Sequence, residues 1–410
     1  MKKRKQLFVT VYILFFLNSI LKLEAQQIDW NNKGILYIGE NSMVTSMGKF
    51  INYEEGEYLN YGNKIYRSHV TNYGLYIDNE KAYTTFEAGQ TQNLRSTRPM
   101  YFQNIIFNLR NYEKINIYSE VEVYGQVAFK KGIVNTRNNI GKLTFHPSAM
   151  VLEANQESYV DGFLYRIGND EFEFPLGNEE QFRPLRIYGN SNRLGMYSAV
   201  YHFENSNTYF SHSRKEEGIL KINTQEFWEI YELSISSPIY ISLPTTEQDA
   251  WKIEQFPNAI LTIVAWDSTQ QKWKDMGGVL EKNESKITTT FKTSLYGAYT
   301  TAIKVASTDE LEIYNAINPK DTRGNDFFRI DNITLYPNNE VQIFDSRGIM
   351  VYQTKNYASF NNVFTGITDG NIRVKKGEKL PTNTYFYVIK RIHPETKKEI
   401  RNIGYLYLKQ

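Results

Sequence analysis

The sequence predicts an all-β protein made of three β-rich regions in a row. Aromatic residues make up 15% of the 410-residue chain, with 31 Tyr and 24 Phe, and such rings suit the half-buried face of a pleated sheet. Short apolar runs alternate with Asn and Gly, which is typical of many short strands joined by turns. An apolar fraction of 41% supplies ample side chains for buried cores. The length exceeds one ordinary domain and indicates two or three.

The first 25 residues predict a signal peptide. Residues 2–5 supply positive charge, residues 7–21 form an apolar run, and cleavage is expected after Ala25. Asn18 and Ser19 interrupt the run, which is also short for a bilayer span, so a retained membrane anchor is the less favoured alternative. No later stretch of the sequence is apolar for long enough to cross a bilayer, and the mature chain is expected to be soluble or held at a surface.

Charge and cysteine content exclude several classes of protein. Residues 1–25 hold five Lys or Arg and one Glu, so the rest of the chain carries 42 basic and 44 acidic side chains, a formal net charge of −2. A nearly neutral chain lacks the basic field that nucleic-acid binding needs. The chain has no Cys, which excludes disulfides, thiolate catalysis and Cys-based metal sites.

Residues 26–164 are expected to form a β-solenoid-like or multi-hairpin region. Asn-Tyr-Gly recurs at 60–62 and 72–74 between short apolar runs. Because Asn and Gly tolerate positive φ, each of these segments is expected to turn the chain sharply. The favoured layout is a right-handed parallel β-helix or a similar stack. A plain antiparallel sandwich is the rival, since periodicity alone does not separate the two.

Residues 165–305 hold longer strands with cleaner alternation, which predict an antiparallel β-sandwich of about seven to nine strands. Trp266 and Trp273 flank a hairpin loop at 267–272. With Trp228 and Trp251 they place four of the five Trp in this region. Core and cross-strand packing is the favoured role of these rings over a sugar-stacking platform. Residues 306–309 are the expected linker to the last region.

Residues 310–410 predict a compact C-terminal module of short strands that fits an immunoglobulin-like sandwich. Strands are expected at residues 332–336, 340–344, 349–353, 384–390 and 404–408. Residues 345–348 are expected to form a hairpin turn with Gly348 at positive φ. Residues 375–379 have mixed charge and are expected to form a solvated loop.

Several segments of this module carry a resemblance to a known family, in the family's order. They are residues 315–319, 324–330, 336–344, 348–352, 362–366, 374–381, 384–387 and 404–408. Together they resemble the gliding-motility-associated C-terminal domain, also called the type B sorting domain of the type IX secretion system. The motif positions that this resemblance indicates are Asn325, Asp326, Phe327, Gly348, Lys375, Lys376, Gly377, Tyr385, Gly404 and Tyr405.

The resemblance implies how the protein is delivered. It implies passage across the inner membrane by the general secretory route and across the outer membrane of a diderm bacterium by the type IX machinery. The protein would then be secreted or held on the exterior of the outer membrane. The type IX machinery is one implied partner, and an outer-membrane β-barrel protein is a second. Residues 158–162 and 174–185 are similar to segments of surface proteins that carry this domain, but they indicate no activity.

Two turns depart from the family's pattern. Residues 320–323 read Lys-Asp-Thr-Arg where the family has an acidic, glycine-rich turn, so the oxygen ligands of a calcium-like loop are lost there. Residues 345–348 read Asp-Ser-Arg-Gly and lack the family's Trp, so the local packing must differ.

The sequence predicts no catalytic residue, cofactor or metal site, and therefore no enzyme. None of the five His has zinc-ligand spacing; they are His69, His146, His202, His212 and His393. The nearest acidic groups are Asp78 with Glu80, expected in a turn, and the trio at 170–173. In that trio Asp170 precedes Glu171 and Glu173, and the two Glu alternate with Phe, so they should face solvent.

Three interpretations of the molecular role stay open. The favoured one is an exported structural or adhesive protein of the cell surface. The second is a glycan-binding or carbohydrate-active protein, which an aromatic row on an exposed solenoid face with carboxylates about 5–10 Å apart would favour. The third is an accessory component of the gliding or export machinery.

Overall fold

The computed structural model describes residues 28–110, 113–137, 141–178, 181–189, 195–234, 238–245, 259–281, 285–305, 311–321, 325–336, 338–358, 362–369, 375–392 and 398–410. Within these ranges the chain is nearly all β, with 40 strands and two 3₁₀ turns at Ser206–Thr208 and Ile333–Leu335. The predicted all-β class is confirmed. The predicted cleavage site after Ala25, the predicted linker at 306–309, and Trp251 and His393 lie outside the described residues.

The N-terminal region is a parallel β-solenoid, which decides between the two layouts that the sequence left open. Strands are numbered along the chain, and each turn contributes one strand to each of three parallel sheets. The first sheet contains β1 (Trp30–Asn32), β4 (Phe50–Asn52), β7 (Val70–Asn72), β10 (Gln92–Ser96), β13 (Lys114–Tyr118), β16 (Ile133–Asn135) and β19 (Val160–Asp161). The second contains β2 (Ile35–Ile38), β5 (Glu57–Asn60), β8 (Leu75–Asp78), β11 (Met100–Phe102), β14 (Glu120–Val123), β17 (Lys142–Phe145) and β20 (Leu164–Ile167). The third contains β3 (Met43–Ser46), β6 (Asn63–Tyr66), β9 (Tyr83–Phe86), β12 (Asn104–Asn108), β15 (Gln126–Lys131) and β18 (Met150–Leu152).

Stacked side chains fill the solenoid interior. Each turn places its inward residues directly above those of the turn before, because the strands pair in parallel register. Tyr58 and Tyr76 stack with ring centroids 4.2 Å apart, and Tyr66 and Phe86 stack at 5.7 Å. All four rings are buried. The high aromatic content of the sequence is therefore used inside the solenoid as well as in sheet faces.

The Asn-Tyr-Gly segments do turn the chain, but the predicted cause was wrong. Neither Asn60 and Gly62 nor Asn72 and Gly74 has positive φ. Asn72 instead belongs to a buried ladder, in which Asn32 Nδ2 donates to Asn52 Oδ1 and Asn52 Nδ2 donates to Asn72 Oδ1, each at 2.7 Å. Gly74 is needed for space, since a Cβ there would lie 2.1 Å from the carbonyl oxygen of Gly56. Close stacking of turns, not backbone conformation, requires these residue types.

The central region is an antiparallel sandwich, as predicted, and its first sheet continues the solenoid. β20 pairs in parallel with β17 and antiparallel with the next strand of a 13-stranded sheet. Beyond β20 that sheet contains β25 (Met196–His202), β27 (Phe227–Ser234), β33 (Gly297–Val305), β29 (Ala259–Asp267) and β30 (Lys272–Asp275), with β26 (Ile219–Ile222) paired to β33. Residues 164 and 165, where the sequence prediction separates the two regions, both lie in β20.

A five-stranded antiparallel sheet covers the other side of the sandwich. It contains β21 (Phe172–Phe174), β24 (Leu185–Tyr188), β28 (Tyr240–Pro244), β32 (Lys286–Thr288) and β31 (Val279–Glu281). A small hairpin of β22 (Gly177–Asn178) and β23 (Gln181–Phe182) contacts β19 and β25. Buried side chains of both sheets and of the solenoid form one continuous hydrophobic cluster. The solenoid and the sandwich therefore share a core.

The described Trp residues of the sandwich pack as predicted. Trp228 and Trp273 are fully buried, and Trp266 lies opposite Trp273 across the β29–β30 hairpin with ring centroids 5.7 Å apart. The indole nitrogens of Trp228 and Trp273 each donate to a backbone carbonyl. Packing, not an exposed platform, accounts for these rings.

The C-terminal module has its own core and its own sheets. A five-stranded sheet contains β35 (Ala316–Ile317), β40 (Glu399–Leu408), β39 (Asn383–Ile392), β37 (Glu340–Phe344) and β38 (Met350–Lys355), and a two-stranded sheet contains β34 (Glu312–Ile313) and β36 (Ile330–Asp331). The strand predicted at 332–336 was wrong. Asn332 has φ 68° and leads into the 3₁₀ turn, and Asn339 Nδ2 donates to the carbonyls of Ile333 and Tyr336, which holds this turn.

Candidate functional site

The large sheet of the C-terminal module has one covered face and one open face. Inward residues of β39 and β40, such as Tyr385, Ile389 and Leu406, are buried in the module core. The two strands have ten residues each and pair along their whole length. Because side chains alternate between the faces of a strand, every second residue of this long hairpin points away from the core.

The outward residues of this hairpin form an exposed apolar surface, which we call the outer patch. It consists of Phe386, Ile403, Tyr405 and Tyr407, whose exposed fractions are 46%, 74%, 56% and 44%. Phe386 lies directly opposite Tyr405 across the ladder. A contiguous patch of large, exposed apolar side chains often marks a surface that binds another molecule.

Only one of the predicted motif residues lies in the outer patch, namely Tyr405. Gly404 precedes it on β40, where a Cβ would lie 2.3 Å from Tyr387 Oη, so this position leaves room for a buried ring. Tyr385 is buried, and its hydroxyl donates to the carbonyl of Pro381 at 2.9 Å. Phe386, Ile403 and Tyr407 were missed by the sequence reasoning, although the alternation in 384–388 and 403–407 carries the signal.

Three other motif residues, at 325–327, belong to a segment that contacts the sandwich through Asp326. Asn325 is exposed, and Phe327 is buried. The carboxylate of Asp326 lies 3.7 Å from the ammonium of Lys292 on the sandwich. Close by, the guanidinium of Arg329 lies 4.9 Å from the ring centroid of Phe291. This part of the motif therefore joins the module to the region that precedes it.

The remaining motif residues belong to two turns. Gly348 has φ 77° and closes the β37–β38 hairpin, which confirms the predicted turn at 345–348. Lys375, Lys376 and Gly377 are exposed, and Gly377 has φ 82°. The hydroxyl of Thr368 donates to the carbonyl of Lys375 at 2.6 Å and orders this loop. The mixed-charge loop is solvated, as predicted.

Comparison with protein families identifies the module. Residues 311–408 match the family model described as the CHU_C type IX secretion signal domain. The C-terminal module is a type IX secretion signal domain. The match covers about a quarter of the chain and agrees with the family that the sequence motifs indicated. Comparison of the chain with curated proteins and with solved structures gives no match.

The secretion signal domain has direct consequences for location and partners. It implies that the protein is exported to the cell surface or secreted, and that it interacts with the type IX secretion machinery. Among the described residues, no helix is both long and apolar enough to cross a bilayer.

Outside the secretion signal domain, most of the candidate acids make structural contacts. The prediction that Asp78 lies in a turn was wrong. Asp78 is the last residue of β8 and is buried. Its carboxylate accepts from Asn60 Nδ2 at 3.1 Å and from the Thr84 hydroxyl at 2.8 Å. Burial raises the pKa of Asp78 to about 7, and the two hydrogen bonds lower it in part. Glu80 is exposed two residues later.

The second acidic group and the described His residues also have structural partners. Asp170 accepts from the buried Arg166 at 2.9 Å, and Glu173 accepts from Arg186, while Glu171 is exposed. Phe172 and Phe174 are buried, so the predicted alternation is confirmed. His146 pairs with Glu122, His202 with Glu229 and His212 with Ser206, and His69 accepts from the Asn93 amide. In the described part of the chain, no group of three His, Asp or Glu is arranged to hold a metal ion.

Proposed function

We propose that this protein is a non-enzymatic structural or adhesive component of the cell surface, displayed on the exterior of the outer membrane of a diderm bacterium. In this proposal residues 1–25 direct it to the general secretory route and are removed after Ala25. The secretion signal domain then directs passage across the outer membrane. The observation that carries the proposal is a secretion signal domain joined to a long, continuous β structure. In the described residues of that structure, no group of His, Asp or Glu is arranged to hold a metal ion.

The outer surface of the solenoid favours this role over glycan binding. On the second sheet, one outward row reads Tyr37, Leu59, Ile77, Tyr101 and Glu122 in parallel register. Two aliphatic side chains separate the rings, so the row is not the unbroken aromatic platform on which sugars stack. A mixed apolar row of this kind suits contact with a protein surface or with a neighbouring copy.

We also propose that the outer patch is where the export machinery, including an outer-membrane β-barrel partner, meets the secretion signal domain. Its four exposed apolar side chains lie on two strands that pair along their whole length. A preformed flat surface loses little entropy on binding, which favours recognition. Lys375 and Lys376 offer a competing recognition surface, because they are exposed on an ordered loop.

Cell fractionation tests the proposal. The full-length chain is expected at the cell surface or in the medium, and a truncation ending at Ala306 is expected to stay in the periplasm. Surface delivery of the truncated chain would overturn the role of the domain.

Two double variants separate the two recognition surfaces. Ile403→Lys with Tyr405→Lys is expected to reduce export about tenfold or more, since a buried charge in an interface costs several kcal/mol. Lys375→Glu with Lys376→Glu is expected to leave export unchanged. Leu280→Lys, on an exposed position of the sandwich, is the control for a new surface charge. Normal export of the first variant would exclude the outer patch, and loss in the second would favour the loop.

A further inference from the structure

The first turn of the solenoid is an open end. β1, β2 and β3 are each the terminal strand of their sheet, with a neighbour on one side only among the described residues. Their outer edges therefore present unpaired backbone N–H and C=O groups. Such an edge is a template for another strand, and natural solenoids cover it.

The core is incompletely covered at the same end. Trp30, Leu36 and Val44 are only partly buried, whereas their register partners in the second turn, Phe50, Tyr58 and Lys64, are fully buried. These pairs occupy equivalent inward positions on the three sheets. The difference in burial shows that one more layer on top of the first turn would complete the core.

Outward residues of the first turn are also unusually apolar and exposed. Ile35, Tyr37 and Met43 have exposed fractions of 71%, 59% and 68%. In the third turn, the equivalent residues Leu75 and Ile77 are 39% and 38% exposed. A terminal turn that faced only water would be expected to carry polar side chains.

At the opposite end of the solenoid, two of the three sheets are continued. In the second sheet β20 is paired by β25 of the sandwich, and in the first sheet Val160 bridges to Leu176. In the third sheet β18 is a terminal strand, so among the described residues it is the first turn that leaves the edges of all three sheets open. An interface between two such ends uses up both of them, which gives a closed pair instead of a fibre.

The segment before the first turn is too short to form a further turn once residues 1–25 are removed. If residues 1–25 are removed as proposed above, only Gln26 and Gln27 precede the first described residue, Ile28. The end carries both signs of charge, with Asp29 and Glu40 against Lys33. Because each end carries both acidic and basic side chains, two identical ends can meet without general charge repulsion.

We propose that the first turn of the solenoid pairs with the first turn of a second copy of this chain, end to end. A two-fold axis perpendicular to the solenoid axis lays one of the three edge strands antiparallel to its own copy and places the other two opposite each other. The backbone edges are then paired, and Trp30, Leu36 and Val44 gain the missing layer. This inference rests on the proposed removal of residues 1–25, but it does not depend on the route across the outer membrane.

Sedimentation velocity of the purified chain that begins at Gln26 tests the pairing over about a hundredfold range of concentration. The expected result is a concentration-dependent dimer and no larger species. Ile35→Lys with Met43→Lys is expected to weaken the dimer about tenfold or more, because four lysines then meet in one interface. Both positions are exposed, so the fold is expected to survive, and circular dichroism checks this.

Leu75→Lys with Tyr83→Lys is the matched control, since it places the same charges on exposed apolar positions of the third turn. The control is expected to dimerise like the wild type. A monomer at every concentration would overturn the proposal, and so would a dimer that the first-turn variant leaves intact. Slower amide exchange in β1–β3 at high concentration would support it independently. Export in cells is measured separately, so a failure of either proposal leaves the other standing.

Discussion

Two ionisable side chains that are buried inside the solenoid, Asp78 and Lys64, contact neutral groups of the described residues. Asp78 is held by two neutral hydrogen bonds. Lys64 donates to the Ser46 hydroxyl at 2.6 Å, and its ammonium lies 4.2 Å from the ring centroid of Trp30. Burial lowers the pKa of Lys64 to about 7 and raises that of Asp78 to about 7. Each residue therefore links solenoid stability to pH, in opposite directions.

The substitution Asp78→Asn is expected to stabilise the protein more above pH 7 than at low pH. Unfolded Asp78 ionises near its ordinary value of 3.8, whereas the folded residue keeps its proton until about pH 7. The folded state binds more protons between these values, so wild-type stability falls as pH rises from about 4 to 7. The variant lacks this fall, and the difference reaches at most about 4 kcal/mol. Thermal unfolding across pH measures it, with Glu80→Gln as the exposed control. A difference that does not vary with pH would contradict the assignment.

The substitution Lys64→Met is expected to show the opposite dependence of stability on pH. Unfolded Lys64 keeps its proton up to about its ordinary value of 10.5, but the folded residue loses it near pH 7. The unfolded state then binds more protons, so wild-type stability rises from about pH 7 to 10.5. The gain from Lys64→Met is therefore largest below pH 7 and shrinks as pH rises, and the cation–π contact with Trp30 reduces it. Lys81→Met, at an exposed site, controls for loss of charge. An equal gain in stability at pH 6 and pH 10 would contradict this explanation.

At the scale of the element, the solenoid turn depends on backbone approach. Asn52 is buried and connects three turns, since it accepts from Asn32 and donates to Asn72 and to the Leu75 carbonyl. Glycine beside this ladder lets the carbonyl of the previous turn come within contact distance. The Asn-Tyr-Gly motif therefore serves the stacking of turns. Its Asn and Gly are required only where a neighbouring turn packs against them.

Gly74→Ala is expected to destabilise the solenoid by about 1–3 kcal/mol, because the added Cβ overlaps backbone oxygens that cannot move freely. Gly34→Ala is the matched control in the first turn, where a Cβ would meet nothing within 4 Å. The control is expected to be neutral or slightly stabilising. Chemical denaturation compares the two variants. Equal effects would show that the glycine acts through backbone conformation after all.

At the scale of the whole molecule, we expect the chain to have two cooperative parts. The solenoid and the sandwich share a 13-stranded sheet and one hydrophobic cluster, whereas the secretion signal domain has a separate cluster. Contacts between the two parts include the ion pair of Lys292 and Asp326 and the contact of Arg329 with Phe291. Because the two hydrophobic clusters are separate, we expect the two parts to unfold as two units.

Calorimetry is expected to resolve two transitions. Leu164→Ala, in the strand shared by solenoid and sandwich, should lower only the larger transition, and Ile389→Ala should lower only that of the secretion signal domain. Both side chains are fully buried, and such truncations cost about 2–5 kcal/mol. Each cost corresponds to a fall of several degrees. Three separate transitions would contradict the core shared by solenoid and sandwich. A shift of both transitions by one variant would contradict the independence of the two parts.

The sequence by itself determined the fold class and the C-terminal address. Alternating apolar runs predict strands, and the ordered motifs from 315 to 408 identify the secretion signal domain. Both are local patterns that can be read without knowing which residues are in contact. It also located the turns at Gly348 and at 60–62. It could not choose between solenoid and sandwich for residues 26–164, since short strands look alike whether they pair in parallel or antiparallel fashion.

The tertiary structure decided what depends on residues far apart in the chain. Asn32, Asn52 and Asn72 become a ladder only when successive turns stack, and Asp78 and Lys64 become buried for the same reason. The outer patch arises because Phe386 and Tyr405 meet across a hairpin, and the open first turn is defined by the strands that do not lie beside it. Burial, register and edges are properties of neighbours in space, so the linear order of residues does not display them.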